Sequence, residues 1–286
     1  MKRLIFLLLP MLSFTLPAQV LKERTNTLTV DFSDKTTGTE LLVSKSTRKY
    51  RALIIGVSKY KFEGPSFQSL DRPAKDAQDI YDVITQKYTF EPGDVILLKD
   101  ATRQDIIDAI DKLGQITTEN DNLLVFYAGH GYWDKQRELG YWLPADARRD
   151  SRSNWISNSD IKDNLAITSI RSKHTLLITD ACFGGSIFKS RSISAERFLQ
   201  INELYKEPSR KAMTSGNLSE VPDKSVFLQQ LLKKLQDNGD EYLPAQQLFS
   251  RIYEPILNNS STNPVYGVIQ GAGDEGGDFI FEKRKN

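Results

Sequence analysis

The 286-residue sequence contains a single cysteine, which excludes an intramolecular disulfide framework. Histidine is nearly as scarce, and two histidines with one cysteine do not make up the usual ligand set of a protein zinc site. An excess of charge of one sign is also lacking, because 38 basic side chains balance 37 acidic ones. Without a clustered positive field we expect no nucleic-acid partner, so specificity must come from a local site.

The first 18 residues have the pattern of a secretory signal peptide. Two basic residues at positions 2 and 3 precede an apolar stretch over 4–16, and a cleavage point is expected near Ala18. The stretch is shorter than the ~20 residues that span a bilayer. A buried helix is the alternative, but Pro10 would break it. We expect an exported protein, periplasmic or secreted, without a membrane contact once the signal is removed.

After the signal, residues 19–48 are polar and weakly patterned, which indicates a pro-segment or linker. From residue 49, apolar strands alternate with amphipathic helices, and this alternation predicts an α/β fold. We expect a mostly parallel central sheet of about six strands flanked by helices. The predicted strands lie at 52–57, 94–98, 122–127, 175–179, 212–215, 265–269 and 278–281. The predicted domain has a larger part (49–186), a basic linker without a buried strand (187–210) and a smaller part (211–286).

Two turns carry the chemistry. The strand at 122–127 runs into Gly-His-Gly around His130, and the strand at 175–179 runs into Asp-Ala-Cys-Phe-Gly around Cys182. The carboxyl ends of parallel strands form the ligand crevice of such sheets, so an imidazole and the only thiol are expected at one edge. Cysteine can also be a small buried hydrophobe, but the glycine-rich setting favours a reactive site.

An imidazole next to a thiol can take the thiol proton and later donate it to a leaving amine. The oxyanion that forms needs two fixed donors, for which the backbone N–H groups of Gly131 and Cys182 are the candidates. The second histidine, His174, begins the strand before Cys182 and lacks a glycine setting, so we interpret it as structural.

About fifty residues separate His130 from Cys182, the spacing that accompanies an Ala-Cys-x-Gly motif in caspases. The chain resembles caspase-like cysteine peptidases, closest to bacterial metacaspases and orthocaspases, and the resemblance implies a caspase-haemoglobinase-like fold. The segments that carry the resemblance are RALIIGVSKY (51–60), LDRPAKDAQDI (70–80), LLVFYAGHG (123–131), LLITDACFGGS (176–186) and RKAMTSGNLSEVPDKSVFLQQLL (210–232).

The resemblance implies the substrate pocket. In metacaspases an Asp two residues before the cysteine and an Asp in an early helix line a pocket for Arg or Lys at P1, and these positions are Asp180 and Asp76 here. Two carboxylates favour a cationic side chain. The alternative for Asp76 is a first-turn residue that complements the helix dipole. Ser215 resembles part of the strand that pairs with an extended substrate.

The implied function is a cysteine endopeptidase that cleaves peptides or proteins after Arg or Lys. Such an enzyme could cleave its own linker, although the same basic stretch could be an ordinary solvated loop. The basic residues there are Lys189, Arg191, Arg197, Lys206, Arg210 and Lys211. A catalytically silent binding module and a caspase with acidic P1 preference are the alternatives. No cofactor is required. Many metacaspases depend on calcium, so the resemblance leaves calcium open as an activator, although the acidic residues show no EF-hand spacing. The sequence leaves the oligomeric state undetermined.

Overall fold

The fold is known from a computed structural model, which describes residues 48–64, 68–181, 187–188, 201–216 and 225–285. The predicted signal peptide, all but the last residue of the predicted pro-segment and Cys182 lie outside the described residues. Within those ranges, no helix is both long enough and apolar enough to cross a membrane.

Eleven strands are present in the described residues. They are β1 (Tyr50–Gly56), β2 (Phe90–Lys99), β3 (Asn122–Ala128), β4 (Gly131–Asp134), β5 (Leu139–Trp142), β6 (Ile156–Ser157), β7 (His174–Asp180), β8 (Ser209–Thr214), β9 (Tyr242–Pro244), β10 (Val265–Val268) and β11 (Ile280–Glu282). Six helices accompany them: α1 (Pro73–Lys87), α2 (Arg103–Ile116), α3 (Asn158–Leu165), α4 (Ile201–Lys206), α5 (Val226–Gln236) and α6 (Ala245–Asn259).

Six of the strands form the central sheet, in the order β10-β8-β7-β3-β1-β2. All neighbours are parallel except β10, which runs antiparallel to β8. The predicted sheet of about six mostly parallel strands is therefore confirmed. In the pairing of β3 with β7, Ala128 lies opposite Asp180. The turns that follow these two strands thus start side by side at one edge of the sheet.

Burial on both faces explains why these strands are continuous apolar runs. Every residue of β1, β3 and β7 is buried. Alternate side chains of β1 enter two separate cores, with Leu53 and Ile55 on the α2 side and Ala52 and Ile54 on the α1 side. The strand ends at Gly56, where an added Cβ would lie 2.2 Å from the carbonyl oxygen of Pro73. The missing side chain lets α1 start directly against the strand end.

Capping residues set the helix starts. Thr102 and Asp105 form a capping box at the start of α2, and Ser157 caps α3. Ser225 caps α5 by accepting a hydrogen bond from the backbone N–H of Leu228. Each of these side chains satisfies an N–H group that the first helical turn leaves without a partner.

The prediction that 187–210 contains no buried strand was wrong for its last two residues. Residues 201–206 form α4, and β8 starts at Ser209 rather than at residue 212. The charged side chains hid this strand, because a buried strand is expected to be apolar. Arg210 is nonetheless fully buried, and its guanidinium donates to the backbone carbonyls of Leu165, Ile170, Ser172, Lys173 and Ser209. Lys211 pairs with Asp274 at 3.4 Å.

The last predicted strand also has a different place. It was expected to complete the central sheet, but β11 pairs with β9 in a separate two-stranded sheet. A third sheet, β4-β5-β6, follows the turn that carries His130. Its strand β4 was not predicted, since Gly131–Asp134 is short and only partly buried.

Candidate active site

His130 follows the carboxyl end of β3, and two tyrosine hydroxyls fix its backbone. The hydroxyl of Tyr60 accepts a hydrogen bond from the backbone N–H of His130 at 2.8 Å. The hydroxyl of Tyr127 donates to the carbonyl oxygen of His130, also at 2.8 Å. The Tyr60 ring lies 5.0 Å from the imidazole, measured between ring centroids. The catalytic histidine candidate is therefore held at both its backbone N–H and its carbonyl oxygen.

Glycine at position 129 is required by this arrangement. Its φ of +154° belongs to the region that L side chains rarely adopt. An added Cβ would also lie 3.0 Å from the Tyr127 hydroxyl and 3.1 Å from the Tyr60 hydroxyl. The glycine before the histidine thus makes room for the two hydroxyls that hold His130.

A backbone carbonyl sets the tautomer of the imidazole. Nε2 of His130 lies 2.7 Å from the carbonyl oxygen of Gln68. A carbonyl oxygen can only accept, so Nε2 carries the proton and donates it. In a neutral imidazole the lone pair then lies on Nδ1. Nδ1 is therefore the nitrogen that can accept a proton from a nucleophile.

The segment that carries Gln68 is tied to the end of β1. The backbone N–H of Leu70 donates to the carbonyl of Ser58 at 2.8 Å. The hydroxyl of Ser58 in turn accepts from the backbone N–H of Ala74 at 2.9 Å, in the first turn of α1. The segment whose carbonyl orients His130 is thus anchored both to the end of β1 and to the start of α1.

Gly131 begins β4, opposite Trp142 of β5. The N–H of Leu143 donates to the His130 carbonyl at 3.1 Å, which makes the preceding pair, His130 and Leu143, a hydrogen-bonded one. Hydrogen-bonded and non-hydrogen-bonded pairs alternate along an antiparallel ladder. The N–H of Gly131 therefore points away from β5, as an oxyanion donor must.

The two predicted pocket carboxylates are both buried. Asp180 ends β7 and is 7% exposed, while Asp76 lies in the first turn of α1 and is 4% exposed. Burial raises the pKa of Asp180 to about 6, and the charge of Asp76 raises it further in the same direction. Burial also raises the pKa of Asp76 to about 6, against the opposing effect of Arg72. The effect of Asp76 on the pKa of Asp180 puts the two carboxylates within electrostatic range of each other.

Hydroxyl groups complete the surroundings of Asp180. The Ser225 hydroxyl donates to Oδ1 of Asp180 at 3.0 Å. Ser215 directly follows β8, and its buried hydroxyl makes no hydrogen bond of ordinary geometry with the described residues. The same hydroxyl lowers the pKa of Asp180, which places it beside the carboxylate. Four elements, α1, β7, β8 and α5, therefore converge on the pocket.

The structural interpretation of His174 is confirmed. The residue begins β7, at the opposite end of that strand from Asp180, and is fully buried. Its Nδ1 lies 2.9 Å from the hydroxyl oxygen of Ser209, and burial lowers its pKa to about 3. It is neutral over the physiological range and packs against Tyr205.

Five contributors to the site were not predicted. One is Tyr127, which lies within a predicted buried strand. Gln68 acts through a backbone atom, which carries no signature in the residue type. Tyr60 and Arg72 belong to loop segments without a periodic pattern. Ser225 had a signal, because serine is a preferred helix cap and apolar residues at helical spacing follow it. No group of three or more His, Cys, Asp or Glu side chains in the described part of the chain is placed to hold a metal ion.

Comparison with known proteins gives the class. The sequence matches the caspase domain family of peptidases, C14, over residues 49–266. The fold is similar to protein GSU0716 from Geobacter sulfurreducens, with 15% identity and a TM-score of 0.54 over 76% of this chain and 92% of that chain. It is similar to caspase-1 from Spodoptera frugiperda, with 14% identity and a TM-score of 0.53 over 78% of this chain and 87% of that chain. No curated protein matches the chain.

The fold and the family match define a caspase-like protein. The chain belongs to the caspase-domain peptidase family. The resemblance to caspase-like peptidases that the sequence motifs indicated is confirmed, and so is the fold class. Membership in a peptidase family supports a protease function and implies a peptide or protein substrate.

Proposed function

We propose that the chain is a cysteine endopeptidase in which Cys182 is the nucleophile and His130 the general base. The observation that carries this proposal is the hydrogen bond from His130 Nε2 to the Gln68 carbonyl, which leaves Nδ1 as the proton acceptor. This imidazole follows the strand end that pairs with Asp180, two residues before Cys182 in the chain. The order of groups is the one that nucleophilic catalysis needs: nucleophile, base and a third group that orients the base.

The proposed reaction proceeds in two stages. Nδ1 of His130 takes the thiol proton of Cys182, and the thiolate sulfur attacks the carbonyl carbon of the scissile bond. The N–H groups of Gly131 and Cys182 stabilise the oxyanion. When the C–N bond breaks, the imidazolium donates its proton to the leaving amine, and a thioester remains. Water, deprotonated by the same imidazole, then hydrolyses the thioester and regenerates the thiol.

We further propose Arg or Lys as the P1 residue. Asp180 and Asp76 would be the acceptors, because a half-desolvated pair of carboxylates attracts a cation and repels an acidic side chain. The second candidate is an acidic P1 residue. Arg72 favours that candidate, because its guanidinium lies in the same region, 2.7 Å from Asp76.

A panel of fluorogenic peptides that differ only at P1 tests the proposal. We expect turnover of the Arg and Lys peptides and none of the Asp peptide, with and without added calcium. Cys182→Ala and His130→Ala should each lower kcat by about a thousandfold or more. Turnover of the Asp peptide alone would establish the acidic preference. A folded protein that cleaves none of the peptides would be a binding module.

We also propose that the enzyme cleaves its own linker. Arg210 and Lys211 are buried in β8 and Lys206 lies in α4, so these three are poor sites for cleavage. The remaining candidates are Lys189, Arg191 and Arg197, which lie outside the described residues. Purified protein should show two fragments on a denaturing gel and Cys182→Ala one chain. Two identical single bands, in a preparation that cleaves peptides, would exclude self-processing.

The predicted signal peptide supports an exported enzyme, in the periplasm or the medium. Expression of the full chain in a Gram-negative host should give a protein whose N-terminus, by Edman sequencing, lies near residue 19. A cytoplasmic protein that retains its first 18 residues would contradict this part of the proposal.

A further inference from the structure

One of the two pocket carboxylates already has a cation from the chain itself. Arg72 occupies the position before the first residue of α1, and its Nη2 lies 2.7 Å from Oδ1 of Asp76, one helical turn later. The Arg72 side chain is 37% exposed, whereas that of Asp76 is 5% exposed. The pair therefore joins a buried anion to a cation that reaches the solvent.

The other carboxylate differs. Asp180 accepts a hydrogen bond from the Ser225 hydroxyl, and the Ser215 hydroxyl lies beside it. Among the residues that the structure describes, no cation forms an ion pair with it. Of the described residues, the pocket thus holds two carboxylates within electrostatic range of each other and the Arg72 guanidinium, which is bonded to one of them.

We propose that Arg72 is an internal occupant of the P1 pocket, a guanidinium that competes with the Arg or Lys of a substrate for Asp76 and so lowers the affinity for basic peptides. The inference rests on the proposed function, since it takes Asp76 and Asp180 as the P1 acceptors. A substrate cation placed between the two carboxylates gains both of them. Arg72 can give way because its side chain is partly exposed and its stem is long and flexible.

The same helix supplies a matched control. Lys75 pairs with Asp79, also one turn apart, at 2.7 Å between Nζ and Oδ2. The Lys75 side chain is 60% exposed and that of Asp79 is 30% exposed, so this carboxylate is not buried in the pocket. Removal of either cation changes the net charge of the α1 start by the same amount. Only Arg72 contacts a pocket carboxylate.

The experiment compares Arg72→Gln with Lys75→Gln on a fluorogenic peptide that ends in Arg, at pH 8. We expect Arg72→Gln to lower KM about fivefold with kcat unchanged, which corresponds to ~1 kcal/mol, the upper range for a partly exposed ion pair. Lys75→Gln should change KM by less than about twofold, because its effect on the pocket is only long-range. Arg72→Lys should keep most of the wild-type KM. A helix start that merely frayed would lower kcat and raise KM instead.

The pH profile adds a readout that a folding defect would not move. The charged groups that face Asp76 are Arg72, Lys75 and Asp79 on α1 and Asp180 on β7. Arg72 holds the pKa of Asp76 down against burial, so its removal raises that pKa. The acid limb of kcat/KM for the Arg peptide should therefore move to higher pH in Arg72→Gln and move by less in Lys75→Gln, because Lys75 has a smaller effect than Arg72 on the pKa of Asp76.

The outcomes separate the two proposals. Wild-type turnover of the Arg peptide with an unchanged or higher KM in Arg72→Gln would overturn the role of Arg72 and leave the proposed function standing. Turnover of an Asp peptide that is lost in Arg72→Gln would make Arg72 the acceptor of an acidic P1 residue, which also overturns it. If neither protein cleaves after Arg or Lys, the proposed function fails and this inference with it.

Discussion

Replacement of Asp180 by Asn should stabilise the protein while it removes the preference for basic peptides. Burial raises the pKa of Asp180 from 3.8 to about 6, so the folded state holds the proton more tightly than the unfolded chain. At pH 8, ionisation in the folded state therefore costs about two pKa units, or ~3 kcal/mol. Asparagine copies the protonated form at every pH. Its oxygen can still accept from Ser225, and its amide can donate to the Ser215 hydroxyl.

The sign of the pH dependence follows from the raised pKa. Wild-type protein gains stability as the pH falls from about 6 towards 4, whereas the Asp180→Asn variant gains nothing from that fall. The advantage of Asp180→Asn should be about 3 kcal/mol at pH 8 and about 1.5 kcal/mol at pH 5. We would measure it by urea unfolding in a Cys182→Ala background, where self-cleavage is absent. With Cys182 intact, kcat/KM for an Arg peptide should fall on the order of a hundredfold, the loss of one charge-assisted hydrogen bond.

A variant that is less stable than its parent at pH 8 would refute this reasoning, and so would a stability difference that does not change between pH 5 and pH 8. In the first case the carboxylate would be stabilised by a contact that outweighs its burial. In the second, the titration of Asp180 would not be coupled to folding. Asp79→Asn is the matched control, because this partly exposed helix residue should change the stability by less than about 0.5 kcal/mol.

Two further predictions concern the frame of the site. Gly56→Ala places a Cβ 2.2 Å from the Pro73 carbonyl oxygen, so we expect the free energy of unfolding, measured in urea, to fall by about 3 kcal/mol. Gly93→Ala is the control and should be nearly neutral, because no atom lies within 4 Å of the added Cβ. Equal effects of the two substitutions would contradict the close contact at Gly56. Arg210→Met leaves several buried carbonyls without a donor and should lower the free energy of unfolding by roughly 3–5 kcal/mol. Lys206→Met on α4 is the control and should change the free energy of unfolding little. An Arg210→Met protein as stable as the wild type would show that these carbonyls find other partners.

The apolar strands could be predicted from the sequence because burial on both faces dictates their composition. Predicted bounds for β3 and β7 agree with the structure to within one residue at each end. The start of β8 could not be predicted in the same way. Its charged residues contradict the rule for buried strands, and only the tertiary structure supplies the carbonyls that solvate Arg210. The place of β11 outside the central sheet is likewise a matter of long-range pairing.

Within the candidate site, the sequence motifs indicated which residues gather at the sheet edge. Gly129 explains why a glycine precedes the histidine, since it leaves room for two tyrosine hydroxyls. No local sequence pattern predicts that these hydroxyls lie there. The partner of His130 Nε2 is a main-chain atom, so no residue type at position 68 could have revealed it. Arg72 was overlooked because an Arg one turn before an Asp has the appearance of an ordinary helix ion pair. The role proposed for Arg72 depends on the burial of Asp76 and on the electrostatic effect of Asp76 on Asp180, and neither can be predicted from the local sequence.

The position of β8 between β7 and β10 has a consequence for any cut in the chain between residues 188 and 201. Chain connectivity would change, but β8 would keep its parallel partner on one side and its antiparallel partner on the other. The hydrogen bonds from Arg210 to carbonyls of the larger part would also hold the two fragments together. A nicked molecule would therefore run as one species on a native gel and as two on a denaturing gel. In this fold the paired strands of the central sheet, rather than an unbroken polypeptide, keep the protein in one piece.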